Sequence, residues 1–260
     1  MIATTPVHAE GPRYGVPIVF LSGLWVGPRM WRPAATYFAH RGWEGTLVDT
    51  RGVAGTLDAR ARAVAELVRT LPAPPVLVGH DAGALVALGA ARYAGTRALV
   101  LAAPLVPGSA GAQALAWSWR LPWALLRRRP IVPADGSLAQ ALLAELSGDW
   151  RNDVAGEDPR LLAALARGGR VVPPDPLPPT LVVRGERDPL LPPAEGRAFA
   201  HTLGAEDHEI PSGGHWFVAA GQWQRCVHVV HRWLVQRLGE PLLELYAEAM
   251  ADRDADDAEE

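Results

Sequence analysis

Three residues far apart in the chain, Asp81, Asp188 and His215, have the types and the order of a nucleophile, an acid and a base. Asp81 follows an apolar run and lies between Gly79 and Gly83, in the pattern G-x-D-x-G. Small residues suit a strained turn that leads into a helix, and the start of a helix stabilises an anion. A carboxylate held there stays ionised and can attack an electrophilic carbon. The alternative is an aspartate that only caps the helix.

The expected partners of Asp81 follow later apolar runs. Asp188 comes after the run Thr180–Arg184, and His215 comes after two glycines. A histidine can activate water, and a carboxylate beside it fixes its tautomer and stabilises the imidazolium. Asp188 as a simple turn residue and His215 as a surface histidine are the alternatives, and Glu186 is the nearest rival for the acid. We expect His80 to be a packing residue rather than a catalytic one.

Short apolar runs alternate with helical patterns along most of the chain. The runs are Ile18–Leu21, Thr46–Asp49, Val76–Gly79, Ala98–Ala102, Thr180–Arg184 and His208–Ile210. The helical patterns are Met30–His40, Leu57–Thr70, Ala82–Arg92, Pro193–Leu203 and Ala219–Leu238. This alternation predicts an α/β fold with a doubly wound, mostly parallel sheet. Reactive residues of such sheets follow the carboxyl ends of the strands, which is where all three candidates lie.

The alternation is interrupted between the fourth and fifth of these runs. Residues 105–179 hold short helical patterns near Gln113–Leu126, Leu138–Leu146 and Pro159–Ala166, and they close in the proline-rich segment VVPPDPLPP. We interpret them as a helical cap on a core formed by residues 1–104 and 180–238. Residues 239–260 carry nine acids and one arginine, a net charge of −8, and we expect an acidic, solvated tail.

Composition excludes several classes of protein. The net charge of −3 gives no reason to expect a nucleic acid partner, and Cys226 is the single cysteine, so no disulfide framework is expected. No run of about 18 apolar residues predicts a membrane span, and the first residues do not resemble a signal peptide. We therefore expect a cytoplasmic protein with no membrane insertion, no metal and no cofactor; the oligomeric state is not indicated. His228 and His231 have no ligand partner at metal spacing.

The G-x-D-x-G turn and the chain order aspartate, acid, histidine resemble the α/β-hydrolase superfamily as far as about Leu238. An aspartate at the turn is typical of the branch of epoxide hydrolases and of haloalkane or haloacid dehalogenases. The resemblance implies catalytic roles for Asp81, Asp188 and His215. It also implies an oxyanion hole formed by the backbone N–H groups of Leu24 and Ala82.

The chain departs from that branch at several positions. The usual His-Gly before the oxyanion residue is Ser22-Gly23, and the tryptophan or arginine that holds halide after the nucleophile in dehalogenases is absent, since Ala82 follows. Epoxide hydrolases protonate the epoxide oxygen with two cap tyrosines, and this cap has none. Tryptophans are the remaining candidates for the substrate pocket, although large aromatic residues also serve simply to pack a cap. These are Trp25, Trp117, Trp119 and Trp123.

The sequence is thus interpreted as that of a cofactor-free hydrolase that forms an alkyl-enzyme ester. The favoured reaction is hydrolysis of a bulky apolar epoxide to a vicinal diol, in a role such as secondary metabolism. Two alternatives stay open: a carbon–halogen dehalogenase of the same fold, and a non-hydrolytic binding or scaffold protein with a relic site.

Overall fold

A seven-stranded sheet forms the centre of the molecule. The computed structural model describes residues 2–116, 121–133, 137–144, 146 and 153–239. The strands are β1 (Ala3–Val7), β2 (Tyr14–Leu21), β3 (Trp43–Asp49), β4 (Val76–His80), β5 (Ala98–Ala102), β6 (Thr180–Gly185) and β7 (Glu206–Ile210). Their order in the sheet is β1-β3-β2-β4-β5-β6-β7, and only β1 is antiparallel to its neighbour. The predicted doubly wound, mostly parallel sheet is confirmed.

The central strands are buried on both faces, which explains why they appear in the sequence as continuous apolar runs. Every residue of β4, β5 and β6 is buried. The sequence did not reveal β1, because its residues ATTPV are almost all exposed and carry no apolar run. Pro6 is tolerated there because an edge strand leaves one row of backbone groups unpaired.

Helices cover both faces of the sheet. They are α1 (Arg32–Ala39), α2 (Leu57–Val68), α3 (Ala82–Ala90), a later helix α8 (Pro193–Leu203) and α9 over residues 223–239. All nine residues of α3 are buried, which accounts for a helix that is apolar on every side. Since α3 begins directly after β4, its first turn lies at the carboxyl edge of the sheet, beside Asp81.

The described parts of residues 105–179, the segment that we call the cap, hold four short helices. They are α4 (Ala110–Ala116), α5 (Leu121–Arg127), α6 (Leu138–Ala144) and α7 (Pro159–Ala166). The cap lies close to the loop after β6, since a Cβ added at Gly111 would come within 2.3 Å of the carbonyl oxygen of Leu190. Trp117, Trp119 and the tail after residue 239 lie outside the described residues.

Two further structural facts concern the described ranges. No helix in them is both long enough and apolar enough to cross a bilayer. Within the same ranges, no three His, Cys, Asp or Glu side chains are grouped so as to hold a metal ion.

Candidate active site

Asp81 lies in a strained turn between β4 and α3. Its backbone angles are φ 55° and ψ −125°, and its N–H donates to the carbonyl oxygen of Ala102 at 3.0 Å. A Cβ added at Gly79 would lie 2.3 Å from the carbonyl oxygen of Gly83, and one added at Gly83 would lie 2.4 Å from that of Ser22. The two glycines of the motif are therefore required because the backbone approaches them closely. The turn that they allow points the Asp81 side chain towards the cap.

One oxygen of the Asp81 carboxylate accepts a hydrogen bond, and the other has no hydrogen-bond partner among the described residues. The backbone N–H of Leu24 donates to Oδ2 at 2.8 Å, and a hydrogen bond from the N–H of Ala82 also stabilises the charge. Oδ1 is buried and has no hydrogen-bond partner in the described structure. The N–H of Leu24, one of the two expected to form an oxyanion hole, thus meets the side chain of Asp81 itself, and Oδ1 remains without a hydrogen-bond partner among the described residues.

Burial dominates the ionisation of Asp81. The side chain is 2% exposed, and this desolvation raises its pKa from 3.8 to about 6. His215 and the N–H groups of Leu24 and Ala82 act in the opposite direction, and Asp188 adds to the rise. The stabilisation of the Asp81 charge expected from the start of α3 is therefore outweighed by desolvation. The carboxylate is mainly ionised above about pH 6.

Asp188 and His215 form a buried hydrogen-bonded pair. Nδ1 of His215 lies 3.0 Å from Oδ2 and 3.2 Å from Oδ1 of Asp188. Burial would raise the pKa of Asp188, but His215 and the N–H of Leu190 outweigh it and hold the pKa below its ordinary value. Glu186, the rival acid, instead accepts the N–H of Ser212 at 2.7 Å. The structure therefore places Asp188 where an acid orients a histidine.

His80 packs against His215 and forms a hydrogen bond with its backbone. Its Nε2 lies 2.9 Å from the carbonyl oxygen of His215, so Nε2 carries the proton and donates it. The His80 ring lies 4.7 Å from the His215 ring and 4.9 Å from the Trp216 ring, centroid to centroid. Complete burial lowers the pKa of His80 to about 3, so the ring is neutral near pH 7.

A very small cavity of about 10 Å³, room for about one water molecule, lies between Asp81, His215 and the cap. Its other described lining residues are Leu24, Trp25, Leu115, Ala139, Leu142, Leu143, Leu190 and Trp216. All of them are apolar or aromatic, and the four between Leu115 and Leu143 come from α4 and α6. Sequence analysis missed these cap residues because an apolar helix face looks the same whether it packs on a core or lines a cavity.

Two of the four tryptophans expected in the pocket, Trp25 and Trp123, lie in the described part of the chain. Trp25 lines the cavity, but its Nε1–H donates to the carbonyl oxygen of Ile131 at 2.9 Å. Trp123 on α5 is 58% exposed and does not line the cavity; the Arg127 guanidinium lies 5.7 Å from its ring centroid.

A tryptophan that the sequence analysis did not select, Trp216, lines the cavity beside His215. It is 4% exposed, and its Nε1–H has no hydrogen-bond partner within the described ranges. Its position directly after His215 was the available signal, because a neighbour of a catalytic residue is carried to the same site.

Comparison with known proteins supports the fold on independent grounds. A family model described as the alpha/beta hydrolase family matches residues 18–229. Similar solved structures include a thermophilic esterase from Thermogutta terrifontis, with 23% identity, a TM-score of 0.68, and coverage of 91% of this chain and 93% of that one. A monoacylglycerol lipase from Paleococcus ferrophilus gives 15% identity, a TM-score of 0.67, and coverage of 91% and 99%.

An alpha/beta hydrolase enzyme from a lagoon-sediment metagenome is also similar, with 19% identity, a TM-score of 0.60, and coverage of 91% of this chain and 95% of that one. A search of curated proteins found no match. At these identities the structural likenesses establish the fold alone.

Proposed function

The chain belongs to the α/β-hydrolase family, and on that premise we propose that it is an epoxide hydrolase with Asp81 as its nucleophile. The observation that carries the proposal is the hydrogen bond from the Leu24 N–H to Oδ2 of Asp81 at 2.8 Å, with Oδ1 left unpartnered among the described residues. An enzyme that forms an acyl-enzyme needs these N–H groups free for the carbonyl oxygen of its substrate. Here Oδ2 of the aspartate already occupies one of them, the N–H of Leu24.

This occupancy is suited to an alkyl-enzyme ester. Oδ1 attacks an epoxide carbon, the carbon–oxygen bond of the ring breaks, and the released oxygen takes a proton from solvent. Oδ2 stays beside the N–H of Leu24 as the carbonyl oxygen of the new ester. The ester is then positioned for attack, because the carbonyl oxygen that becomes the oxyanion already accepts a hydrogen bond.

The second step uses His215 and Asp188. His215 takes a proton from water, and the water oxygen attacks Cγ of Asp81. Asp188 orients the ring through Nδ1 at 3.0 Å and stabilises the imidazolium. When the intermediate collapses, the bond from Cγ to the alkyl oxygen breaks, and the imidazolium returns its proton to that oxygen. The products are a diol and Asp81 as the carboxylic acid, which carries one oxygen from water and releases its proton to solvent to regenerate the carboxylate.

The departing epoxide oxygen needs a hydrogen-bond donor, and Trp216 is the donor that we propose. Its indole N–H lacks a partner in the described structure and its ring lines the cavity beside His215. An indole N–H can stabilise negative charge but cannot transfer its proton, which is why the proton is assigned to solvent. Trp117 and Trp119 remain sequence-based candidates for the same role.

The apolar lining favours an apolar substrate without charged groups, because a charged group would lose its hydration without gaining a partner. We propose that residues 105–179 act as the cap that selects this substrate and that residues 1–104 and 180–238 act as the catalytic core. No nucleic acid, metal or cofactor enters the proposed reaction.

Dehalogenation is the second enzymatic possibility. The chain lacks a halide-binding residue after Asp81, and the indole N–H of Trp25 is already engaged with Ile131. These two facts favour an epoxide over an alkyl halide as the electrophile. A binding protein with a relic site has no need for the buried hydrogen bond between Asp188 and His215.

The deciding experiment is intact-mass analysis of a His215→Gln variant incubated with styrene oxide or with 1-bromohexane. The proposal expects a stable adduct with the epoxide that carries its whole mass and maps to Asp81 by peptide digestion. An Asp81→Asn, His215→Gln double variant is the blank, and an exposed-residue variant, His201→Gln, serves as the active control. An adduct with the bromide alone would favour the dehalogenase, and no adduct with either would contradict the covalent mechanism.

A further inference from the structure

The loop that carries Leu24 is held in a strained shape by the cap. Trp25, the next residue, has a φ of 61°, which is unusual for any residue with a side chain. Its carbonyl oxygen accepts the N–H of Ala155 at 2.8 Å, and its indole donates to the carbonyl oxygen of Ile131. Both partners belong to the cap, so contacts from outside the loop stabilise the strained backbone.

Neighbouring residues extend this contact into a short ribbon. Val26 forms an antiparallel bridge with Val154, and Ile131 forms another with Glu157. We call residues 22–27 the oxyanion loop and residues 153–157 the strap. A Cβ added at Gly27 would lie 2.0 Å from Oδ2 of Asp153, so no space is left between the loop and the strap.

Arg51, which lies just after β3, ties the two segments together. Its Nη2 contacts Oδ2 of Asp49 at 2.7 Å and Oδ1 of Asp153 at 3.1 Å. Its Nη1 donates to the backbone carbonyl of Asp153 and lies 3.4 Å from that of Trp25. The Arg51 side chain is 14% exposed, so these ion pairs are less screened than surface pairs.

A second attachment of the strap region does not touch the oxyanion loop. Arg60 on α2 forms an ion pair with Glu157, and both side chains are almost fully buried. The N–H of Gly55 donates to Oδ2 of Asp158 at 2.7 Å, just after the strap. These contacts hold the cap to the core, whereas Arg51 and Asp153 also reach the loop that carries Leu24.

We infer that the strap sets the position of the Leu24 N–H against Asp81, and that Arg51 and Asp153 are positioning residues for the nucleophile. The inference rests on the proposed function only in naming Asp81 as the nucleophile. Its consequence is that cap docking and readiness of the nucleophile are coupled: when the strap leaves the loop, Trp25 loses the partners that hold it, and Oδ2 loses a donor.

The measurable consequence is the charge state of Asp81. The Leu24 N–H lowers the pKa of Asp81, so its loss raises that pKa further above its ordinary value. Among the described residues, the ionisable groups facing Asp81 are His215 and Asp188, from the loops after β7 and β6. His80, one residue earlier on β4, packs against His215 and stays neutral, and the described cavity-lining residues of α4 and α6 are uncharged.

The test compares Asp153→Asn with Asp158→Asn, a matched loss of charge in the cap that leaves the oxyanion loop untouched. In the His215→Gln background, the rate of adduct formation with styrene oxide is measured against pH. The acid limb is the part of the pH–rate profile in which alkylation slows as the pH falls. For Asp153→Asn we expect this limb to move upward by about one pH unit, so that alkylation on it is roughly tenfold slower than in the parent. Arg51→Lys is expected to move the limb less, because it keeps the charge. Asp158→Asn is expected to keep the limb of the parent.

A second measurement separates this inference from the proposed function. Carbon-13 NMR titration of the aspartate carboxyls, with Asp81→Asn to assign the signal, reports the pKa of Asp81 without any substrate. If no variant forms an adduct, the proposed function fails, and the titration still decides the inference. An unchanged Asp81 pKa in folded Asp153→Asn and Trp25→Phe proteins would overturn the inference, whatever their activity.

Discussion

Nε2 of His80 donates a hydrogen bond to the backbone carbonyl of His215 at 2.9 Å, although the two residues are 135 positions apart. His80 ends β4 directly before Asp81, and His215 lies in the loop after β7. One buried side chain thus links the strand that carries the nucleophile to the loop that carries the base. We therefore expect His80 to fix the distance between the two halves of the site.

Replacing His80 tests this link. His80→Leu removes the donor, and we expect kcat to fall roughly tenfold while KM changes little, because only the position of the base is affected. His80→Gln keeps a donor and should recover part of the loss. Steady-state kinetics, with exposed His201→Gln as the control, check the expectation. Equal kcat in His80→Leu and the parent would show that the link is not needed.

The same residue predicts a pH effect on stability. The folded-state pKa of His80 is about 3, below its ordinary value of 6.5, so the folded protein resists its protonation. The contribution of neutral His80 to the free energy of unfolding is fully present above pH 6.5 and is lost as the pH falls from 6.5 towards 3. His80→Gln should therefore lose less stability between about pH 7 and pH 4 than the parent does, measured by urea unfolding. Parallel losses in the two proteins would contradict the assigned pKa.

The ionisation of Asp81 has the opposite effect on how stability changes with pH. Its folded-state pKa of about 6 lies above the ordinary 3.8, so ionisation costs the folded protein stability as the pH rises from 3.8 to 6. Asp81→Asn avoids that cost, and we expect it to be more stable by on the order of 3 kcal/mol above about pH 6, with little advantage near pH 4. Urea unfolding at both values is the measurement. Glu66→Gln, at an exposed carboxylate, is the control that should show no such change.

Gly23 predicts how closely the oxyanion loop must approach Asp81. A Cβ added at Gly23 would lie 2.5 Å from both Cβ and Oδ2 of Asp81. Gly23→Ala should displace the Leu24 N–H and slow alkylation by roughly 10²-fold, the scale for losing one oxyanion donor. Gly221→Ala is the matched control, because nothing lies within 4 Å of a Cβ added there. Alkylation rates within a factor of two of each other would rule out the required approach.

We expect the indole N–H of Trp216 to stabilise the departing epoxide oxygen. Trp216→Phe removes the unpartnered N–H but keeps most of the apolar contact, so alkylation should slow by roughly 10²-fold with little change in KM. Trp123→Phe should react at the parent rate because Trp123 is exposed on the cap. Trp117→Phe and Trp119→Phe extend the series to the other sequence-based candidates. A parent-like rate in Trp216→Phe would move the donor role away from this residue.

Residue type and chain order determined much of what can be said of this protein. The alternation of apolar runs with helical patterns predicted the parallel sheet, because strands buried on both faces must be continuously apolar. The G-x-D-x-G pattern predicted the turn at Asp81, because only glycines allow the backbone approach measured at Gly79 and Gly83. Each of these constraints limits the residue type at the position where it acts, so the sequence alone reveals it.

Tertiary structure alone decided which residues of the site act together. Asp188 rather than Glu186 reaches His215, and the two carboxylates are only two positions apart in a loop, so their side-chain directions depend on long-range packing. The pKa of Asp81 likewise depends on how completely the folded chain buries it. Nothing in the sequence joins Trp25 to Ile131 or Arg51 to Asp153, because each pair is separated by about a hundred residues and meets only when the cap folds over the sheet.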